Sequence, residues 1–194
     1  MMRRMPTADL RPGMLLVAAP SLLDPNFVDT VVLLLDADED GAIGVVLNRP
    51  SPVAVGDVLE GWEPVVAEPE VLFQGGPVGT DGALAVALLD GGLGGGEAPV
   101  GFRPVLGGLG ILDLDTPVEL VAGTLGGLRI FAGYAGWGAG QLEGEVEEGA
   151  WYVVPSVETD AFRDDVADLW RDVLRRQPGE LAWASTRPVD PDLN

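Results

Sequence analysis

Short apolar runs, each closed by turn residues, recur along the first half of the chain. Compact runs of this kind are typical of strands with two buried faces, and they predict strands at 14–18, 31–35, 42–47, 71–73 and 83–89. Asp40-Gly41 predicts a hairpin turn between the second and third strands. Pro50 is predicted to end the third strand, because proline cannot donate to a ladder of backbone hydrogen bonds.

The second half of the chain mixes strands with helices. Strands are predicted at 109–114, 128–134 and 151–154, and short helices at 55–59, 116–123 and 141–148. Thr116 is predicted to cap the second short helix, with Glu119 completing a capping box. A longer helix is predicted over 160–176, because its apolar residues recur at spacings of three and four and form one face. The absence of a regular βαβ repeat favours an α+β fold around a strongly bent, largely antiparallel sheet. The length of 194 residues predicts a single domain over 1–194.

Charge and composition narrow the classes of function. The chain has 31 acidic and 11 basic residues, a net charge of -20, and its basic residues are all arginine. Such a chain repels nucleic-acid phosphates and anionic membrane surfaces. No apolar stretch approaches the roughly 20 residues of a membrane span, and no targeting segment is recognisable at the start, so we expect a cytoplasmic protein.

On the predicted long helix, ion pairs are expected at Asp168–Arg171, Asp172–Arg175 and Asp172–Arg176.

The sequence contains no histidine, cysteine or lysine. The chain alone therefore lacks the side chains of catalytic triads, cysteine–histidine pairs, structural zinc sites, P-loops and Schiff bases. Carboxylate chemistry, with or without Mg²⁺ or Ca²⁺, remains open. The acidic run at 36–40 lacks the spacing of a calcium loop and is interpreted mainly as a solvated turn. The acidic residues at 143–148 lie on or near a predicted short helix, where those in the first turn would complement the helix dipole. We predict no catalytic residue, no metal ligand and no cofactor.

A glycine-rich stretch, residues 133–140, joins a predicted strand to a predicted helix. Its placement is compatible with an anion site at a helix N-terminus, but its spacing is not G-x-G-x-x-G. Glu143 and Glu145 would also oppose a phosphate. The glycines are therefore interpreted first as positions that allow tight turns and close backbone approach, with a ligand or protein surface as the alternative.

Several motifs, in order along the chain, resemble the AlgH/YqgE family of small bacterial proteins. They are residues 13–18, 24–27, 41–50, 75–78, 133–137 and 140–143, together with Glu145, Ala150-Trp151 and 190–194. The resemblance implies a bent sheet closing toward a small barrel with flanking helices. It also brings the label of putative transcriptional regulator, but no established catalytic residues. Family members often carry histidine in the turn after the second strand, where this chain has Ala37.

The leading hypothesis is a non-enzymatic cytoplasmic regulatory or adaptor protein that binds a protein partner or small ligand. Its predicted surface consists of Asn48, Arg49, Gly75, Gly76, Pro77, Tyr134, Gly136, Trp137, Gln141 and Glu145. Arg49 would be a fork-shaped donor, and Tyr134 and Trp137 would supply rigid contact area. Direct action on DNA as a transcriptional regulator and a carboxylate-dependent, Mg²⁺-assisted enzyme are the alternatives.

Overall fold

The computed structural model describes residues 9–91 and 97–186. The sequence also predicts a glycine-rich loop at 91–96 and an extended tail at 189–194; apart from Gly91, both lie outside the described residues. The described strands are β1 (Met14–Ala18), β2 (Val31–Asp38), β3 (Gly41–Val46), β4 (Pro50–Ala54), β5 (Val71–Gln74), β6 (Val78–Leu89), β7 (Phe102–Leu106), β8 (Leu109–Leu112), β9 (Leu125–Gly138) and β10 (Trp151–Pro155). The α-helices are α1 (Val118–Val121), α2 (Gln141–Glu147), α3 (Leu169–Arg175) and α4 (Glu180–Ala184).

The longest strand, β9, organises the sheet. Eight strands follow the order β10-β1-β2-β3-β9-β6-β8-β7, and β4 and β5 form a branch. One edge of β9 pairs with β6, while the other edge is shared by β3 near Gly138 and by β5 near Phe131. The β5–β9 pair is parallel, and the other pairs among the described strands are antiparallel.

The sheet is strongly bent. In the strand order, β2 and β7 are separated by four other strands, yet Arg103 of β7 lies 3.6 Å from Asp36 of β2. Neighbouring strands are about 4.8 Å apart, so a flat sheet would hold these two residues far beyond contact. The α+β class and the bent, mostly antiparallel sheet predicted from the sequence are therefore confirmed.

Apolar side chains pack on both faces of this sheet. The concave face and α3 form an inner cluster that includes Leu15, Leu33, Phe131, Leu169 and Val173, each at most 1% exposed. The convex face carries an outer cluster, which includes Leu34, Ala42, Trp137, Leu142 and Trp151. A third cluster around Trp62 and Ile130 covers the other half of the convex face. Burial of each large aliphatic side chain stabilises the fold by roughly 1.5–3 kcal/mol.

The prediction of one helix over 160–176 is wrong. The segment forms a 3-10 helix at Glu158–Phe162 and then α3 at Leu169–Arg175. Between them, the Asp164 carboxylate accepts the Asp165 N–H at 2.8 Å, and the Asp165 carboxylate accepts the Ala167 N–H at 3.1 Å. Aspartate side chains that bind local amides in this way compete with helical hydrogen bonding.

The arginines of this region also differ in part from the prediction. Asp172–Arg175 is present at 3.1 Å, as expected. Arg176 instead forms its ion pair with Asp160, and Arg171 donates to the Ser185 carbonyl at 2.7 Å. The broken helix brings these other acceptors within reach of the arginine side chains.

Local corrections concern helix ends and edge strands. Thr116 does not cap α1: Pro117 occupies the N-cap position without a side-chain cap, and Thr116 is buried close to Gly101. Residues 55–57 form a 3-10 helix rather than a short α-helix. Pro50 begins the exposed strand β4, where proline is tolerated at a sheet edge, and β7 was not predicted. β9 extends four residues beyond the predicted end at Tyr134, through the glycine-rich stretch.

Candidate functional site

Glu145 of α2 holds a group of side chains beside the convex face of the sheet. Its Oε2 accepts the indole N–H of Trp137 at 3.0 Å and that of Trp151 at 2.9 Å. Its Oε1 accepts the Gln141 amide at 3.1 Å. Hydrogen bonds to a carboxylate are among the stronger ones in proteins. We call these four residues the Glu145 network, which ties α2 to β9 and β10.

Gln141 also fixes the entry to α2. Its Oε1 accepts the backbone N–H of Gly138 at 3.0 Å, so the side chain bridges the end of β9 and the helix. Gly140, between them, has a φ of 72°, a left-handed conformation that glycine adopts without a steric cost. The predicted i,i+4 relation of Gln141 and Glu145 on one helix side is therefore present as a hydrogen bond.

Phe27 covers the two indoles. Its ring stacks on Trp137 at 6.0 Å between centroids and meets Trp151 edge-on at 5.5 Å. The two indoles are themselves nearly perpendicular, at 83°. Phe27 and Trp151 appear in the motifs that resemble the family but were not predicted as site residues, because their proximity to Trp137 depends on strand pairing.

Arg49 holds the turn that carries Phe27. Its guanidinium donates to the carbonyls of Asn26 at 2.7 Å, Pro25 at 3.0 Å and Val28 at 3.2 Å. The fork-shaped donor is present, and in this structure its acceptors are carbonyls of the chain itself. Arg49 therefore reaches the Glu145 network indirectly, through the turn and Phe27.

Asn48 has a comparable structural position. Its side-chain oxygen accepts the Val31 N–H at 3.0 Å, and its amide donates to the Asp29 carbonyl at 2.9 Å. It thus links the end of the same turn to the start of β2. Both Asn48 and Arg49 are half-buried.

Gly75 and Gly76 lie against the backbone of β9. A Cβ on Gly75 would come within 2.3 Å of the Gly133 carbonyl, and one on Gly76 within 2.2 Å of the Tyr134 backbone. Gly76 also has a φ of 151°. Both positions require glycine because of close backbone approach, which is the structural interpretation given to glycines in the sequence. Pro77 follows and is exposed.

Tyr134 is separated from the Glu145 network by the sheet. It packs with the inner cluster, whereas Trp137, three residues along β9, belongs to the outer cluster. The exposed Gly136 lies beside its ring, where an added Cβ would be 3.5 Å away. The structure therefore joins Arg49, Trp137, Gln141 and Glu145 through Phe27 and leaves Tyr134 on the other face. That these residues bind a partner stays a prediction.

A cleft of about 170 Å³ lies next to the Glu145 network. It is bordered by the tip of the β2–β3 hairpin, by α2 and by Leu10. Its carboxylates are Asp38, Glu39 and Glu143, and its apolar lining includes Leu10, Ala37, Ala42 and Leu142. The sequence did mark both acidic runs but gave no sign that the fold would bring them together. Ala37, expected in a turn, lies in β2.

A different ionic group, Arg129, is fully buried beneath the concave face. It donates to the carbonyls of Arg163 at 2.8 Å and Ala161 at 3.2 Å, and also to that of Glu68. Its guanidinium lies 4.2 Å from the centre of the Phe73 ring. Burial lowers the pKa of Arg129 to about 10, against the opposing effect of Asp164, so the side chain stays charged at neutral pH.

Arg129 was not singled out from the sequence, where it stands as one arginine within an apolar strand. Its Nε has no hydrogen-bond partner among the described residues. A second cavity, of about 290 Å³, is lined by Glu68, Phe162, Arg163 and Asp164 among others. Two of those residues contribute the carbonyls that Arg129 binds, so the guanidinium fixes part of that cavity's wall.

Two searches of the described residues bear on the alternatives. Across residues 9–91 and 97–186, no three histidine, cysteine, aspartate or glutamate side chains are grouped so that they could hold a metal ion. In the same part of the chain, none of the helices has the length and apolar character needed to cross a membrane.

Comparison with known proteins gives consistent matches. A family model described as AlgH-like matches residues 15–182. A UPF0301 protein of Streptomyces coelicolor is 59% identical over 182 residues, covering 94% of each chain. A UPF0301 protein of Mycobacterium tuberculosis is 44% identical over 185 residues, covering 95% of this chain and 91% of the other.

Two solved structures share the fold. The crystal structure of a protein from Corynebacterium diphtheriae has a TM-score of 0.85 and 35% identity, covering 96% of this chain and 95% of that one. The solution structure of the AlgH protein from Pseudomonas aeruginosa has a TM-score of 0.66 and 30% identity, covering 97% and 98%.

Proposed function

This chain belongs to the AlgH-like family, and we propose that it is a non-enzymatic regulatory or adaptor protein that binds a partner beside α2 and the tip of the β2–β3 hairpin. One observation carries the proposal. The Glu145 network attaches α2 to the sheet at the place where a cleft opens between α2 and the hairpin. A surface that is fixed before binding loses less conformational freedom when a partner docks.

The distribution of exposed and buried groups supports this location. Trp137 is 6% exposed, and its indole N–H already donates to Glu145. The Trp137 side chain therefore packs beneath the proposed surface and holds α2 in place. Gln141 and Glu143 are exposed on α2, and Glu39 is exposed on the hairpin. The residues that contact a partner are thus the exposed ones beside the predicted motif, and the buried ones hold them in place.

The charge of the protein favours protein partners over nucleic acid. A net charge of -20 opposes the counterion release through which nucleic-acid binding gains most of its free energy. The cleft adds carboxylates at the proposed surface itself. We expect no retardation of DNA in a low-salt gel shift with micromolar protein.

The proposal is tested by co-purification with the tagged full-length chain from cells of its source. The cleft variant carries Glu39→Gln and Glu143→Gln. A matched control carries Glu60→Gln and Glu119→Gln, which change net charge equally at exposed positions outside the cleft. We expect a partner to be lost from the cleft variant and kept by the control. If both variants, with unchanged melting temperatures, retain the same proteins as the unmodified chain, the proposed surface is wrong.

A further inference from the structure

The cleft has two chemically different parts. Its apolar part, which we call the base, consists of the half-buried Leu10 and Ala37 above the buried Ala42 and Leu142 of the outer cluster. Its rim carries carboxylates from separate elements, Asp38 and Glu39 from the hairpin and Glu143 from α2. An occupant must therefore offer an apolar part to the base and a polar or charged part to the rim.

The rim carboxylates form no ion pair with an arginine of the described residues. The ion pairs there engage other acidic residues: Asp9, Asp36, Asp160 and Asp172. Arg11, which follows the cleft residue Leu10, is paired with Asp9. Asp38 accepts the Asp40 N–H at 2.8 Å, a bond within the turn that leaves its charge in place. Within residues 9–91 and 97–186, the negative charge of the rim is therefore not compensated by an ion pair.

We propose, on the basis of the proposed function, that the cleft binds a lysine or arginine side chain from a basic segment of the partner protein. These side chains combine a methylene stem, which can lie on apolar surface, with a cationic head that stays at the rim. A neutral apolar occupant would desolvate the carboxylates without compensation. A bare divalent cation would find oxygen ligands at the rim but would gain nothing from the apolar base.

The two elements that carry the rim carboxylates, α2 and the β2–β3 hairpin, are both attached to the sheet. Glu143 lies on α2 between Gln141 and Glu145, whose hydrogen bonds attach the helix to β9 and β10. The hairpin is attached to β9 through the Gly41–Gly138 and Ala42–Trp137 pairs. Both sides of the cleft are therefore attached to the same strand.

The test titrates the ¹⁵N-labelled full-length chain with short blocked peptides that differ in one central residue: lysine, arginine, or norleucine as the uncharged isostere of the stem. We expect the lysine and arginine peptides to shift amides at 37–42 and 141–144 with a saturable, millimolar Kd. The Glu39→Gln/Glu143→Gln variant should weaken that Kd by about tenfold, a change of about 1.4 kcal/mol. The Glu60→Gln/Glu119→Gln control should leave it unchanged.

Three results would overturn the inference. Equal shifts with the norleucine peptide would make the cleft an apolar site. Shifts spread over all acidic surfaces, and equally reduced in both double variants, would indicate unspecific charge attraction. Stoichiometric displacement of the peptide by millimolar Mg²⁺ or Ca²⁺ would make the rim a metal site.

The experiments distinguish failure of the proposed function from failure of the basic side chain as the occupant of the cleft. Loss of a cellular partner from the cleft variant without any peptide binding keeps the proposed function and removes the basic occupant. Saturable peptide binding without a cleft-dependent partner in cells removes the proposed function and leaves a cation-binding cleft.

Discussion

Two ionic groups, Glu145 and Arg129, hold opposite faces of the sheet in different ways. Glu145 is half-buried, and its acceptors are filled by side-chain N–H groups of Trp137, Trp151 and Gln141. Arg129 is fully buried, and its donors go to backbone carbonyls of Glu68, Ala161 and Arg163. The first connects regular elements, a helix and two strands. The second connects segments outside the sheet, around 68 and 161–163, to β9.

The difference separates a group that maintains the fold from one that positions a surface. The Glu68 and Arg163 carbonyls lie outside regular helices and strands, and Ala161 lies in the short 3-10 helix, so the position of these segments depends on Arg129. The side chains around Glu145 lie beside solvent, next to the proposed cleft, and the sheet beneath them is paired without their help. We therefore expect replacement of Arg129 to lower the free energy of unfolding most. Changes in the Glu145 network should lower it less and should have a larger effect on binding at the cleft.

Replacement of Arg129 should have the largest effect. Arg129→Met keeps much of the side-chain volume but removes the hydrogen bonds to the Glu68, Ala161 and Arg163 carbonyls. At about 1 kcal/mol for each lost bond, the free energy of unfolding should fall by about 3 kcal/mol, measured by urea denaturation. A matched arginine control is Arg103→Met, whose exposed ion pair with Asp36 should contribute less than about 1 kcal/mol.

The opposite result is informative, because buried ionic groups are sometimes replaced by apolar ones without loss. If Arg129→Met is as stable as the Arg103→Met control, the desolvation of Arg129 offsets all of its hydrogen bonds. The proposed difference, in which Arg129 maintains the fold and Glu145 positions a surface, would then be wrong.

Glu145→Ala should rank second. It leaves the Trp137 and Trp151 indole N–H groups, on side chains 6% and 2% exposed, without their acceptor. An unsatisfied buried donor costs about 1–3 kcal/mol, and solvent next to α2 reduces this, so we expect a loss of about 2 kcal/mol. Tryptophan fluorescence should shift as the two indoles change environment. Glu147→Ala, on the exposed side of the same helix, is the control and should change neither quantity.

Arg49→Ala should destabilise less, by about 1–2 kcal/mol, because the guanidinium that holds the Phe27 turn is only half-buried. The loss should be local: hydrogen exchange should accelerate at 26–30 before it does so in β2. Arg49→Lys keeps the charge but not the planar fork, so it should recover only part of the protection. Uniform acceleration across the sheet would show that the turn and the sheet unfold together.

Much of the fold follows from local pattern, and much of the site does not. The strands β1, β2 and β3 are visible as apolar runs, and the hairpin between β2 and β3 is predicted from its turn residues, although the turn lies at Glu39-Asp40, one residue before the predicted Asp40-Gly41. The break between 162 and 169 was missed, because the apolar spacing of three and four continues through it. Only the side-chain bonds of Asp164 and Asp165 to nearby amides show why the helix stops.

The candidate site depends on contacts between distant segments. Phe27 contacts Trp137 and Trp151, which lie more than a hundred residues later in the chain. Hydrophobic periodicity predicts local secondary structure and does not predict such a contact. The acidic runs at 36–40 and 143–148 were interpreted separately, as a turn and as a short helix, although Glu145 of the second run is half-buried and accepts two indole N–H groups. Their shared cleft arises because β3 and α2 both join β9 at its final residues.

Gln141→Ala should have the smallest effect on stability and is the sharpest test of the contrast. The side chain is exposed, so loss of its bonds to Gly138 and Glu145 should reduce the free energy of unfolding by about 0.5–1 kcal/mol. Those bonds nevertheless fix the first turn of α2, which carries Glu143 of the cleft. We therefore expect the lysine-peptide Kd to rise about threefold, and to rise more than it does in Arg129→Met, at a temperature where both variants stay folded. If the Kd follows stability alone across the variants, the Glu145 network has no separate positioning role, and both ionic groups serve only the fold.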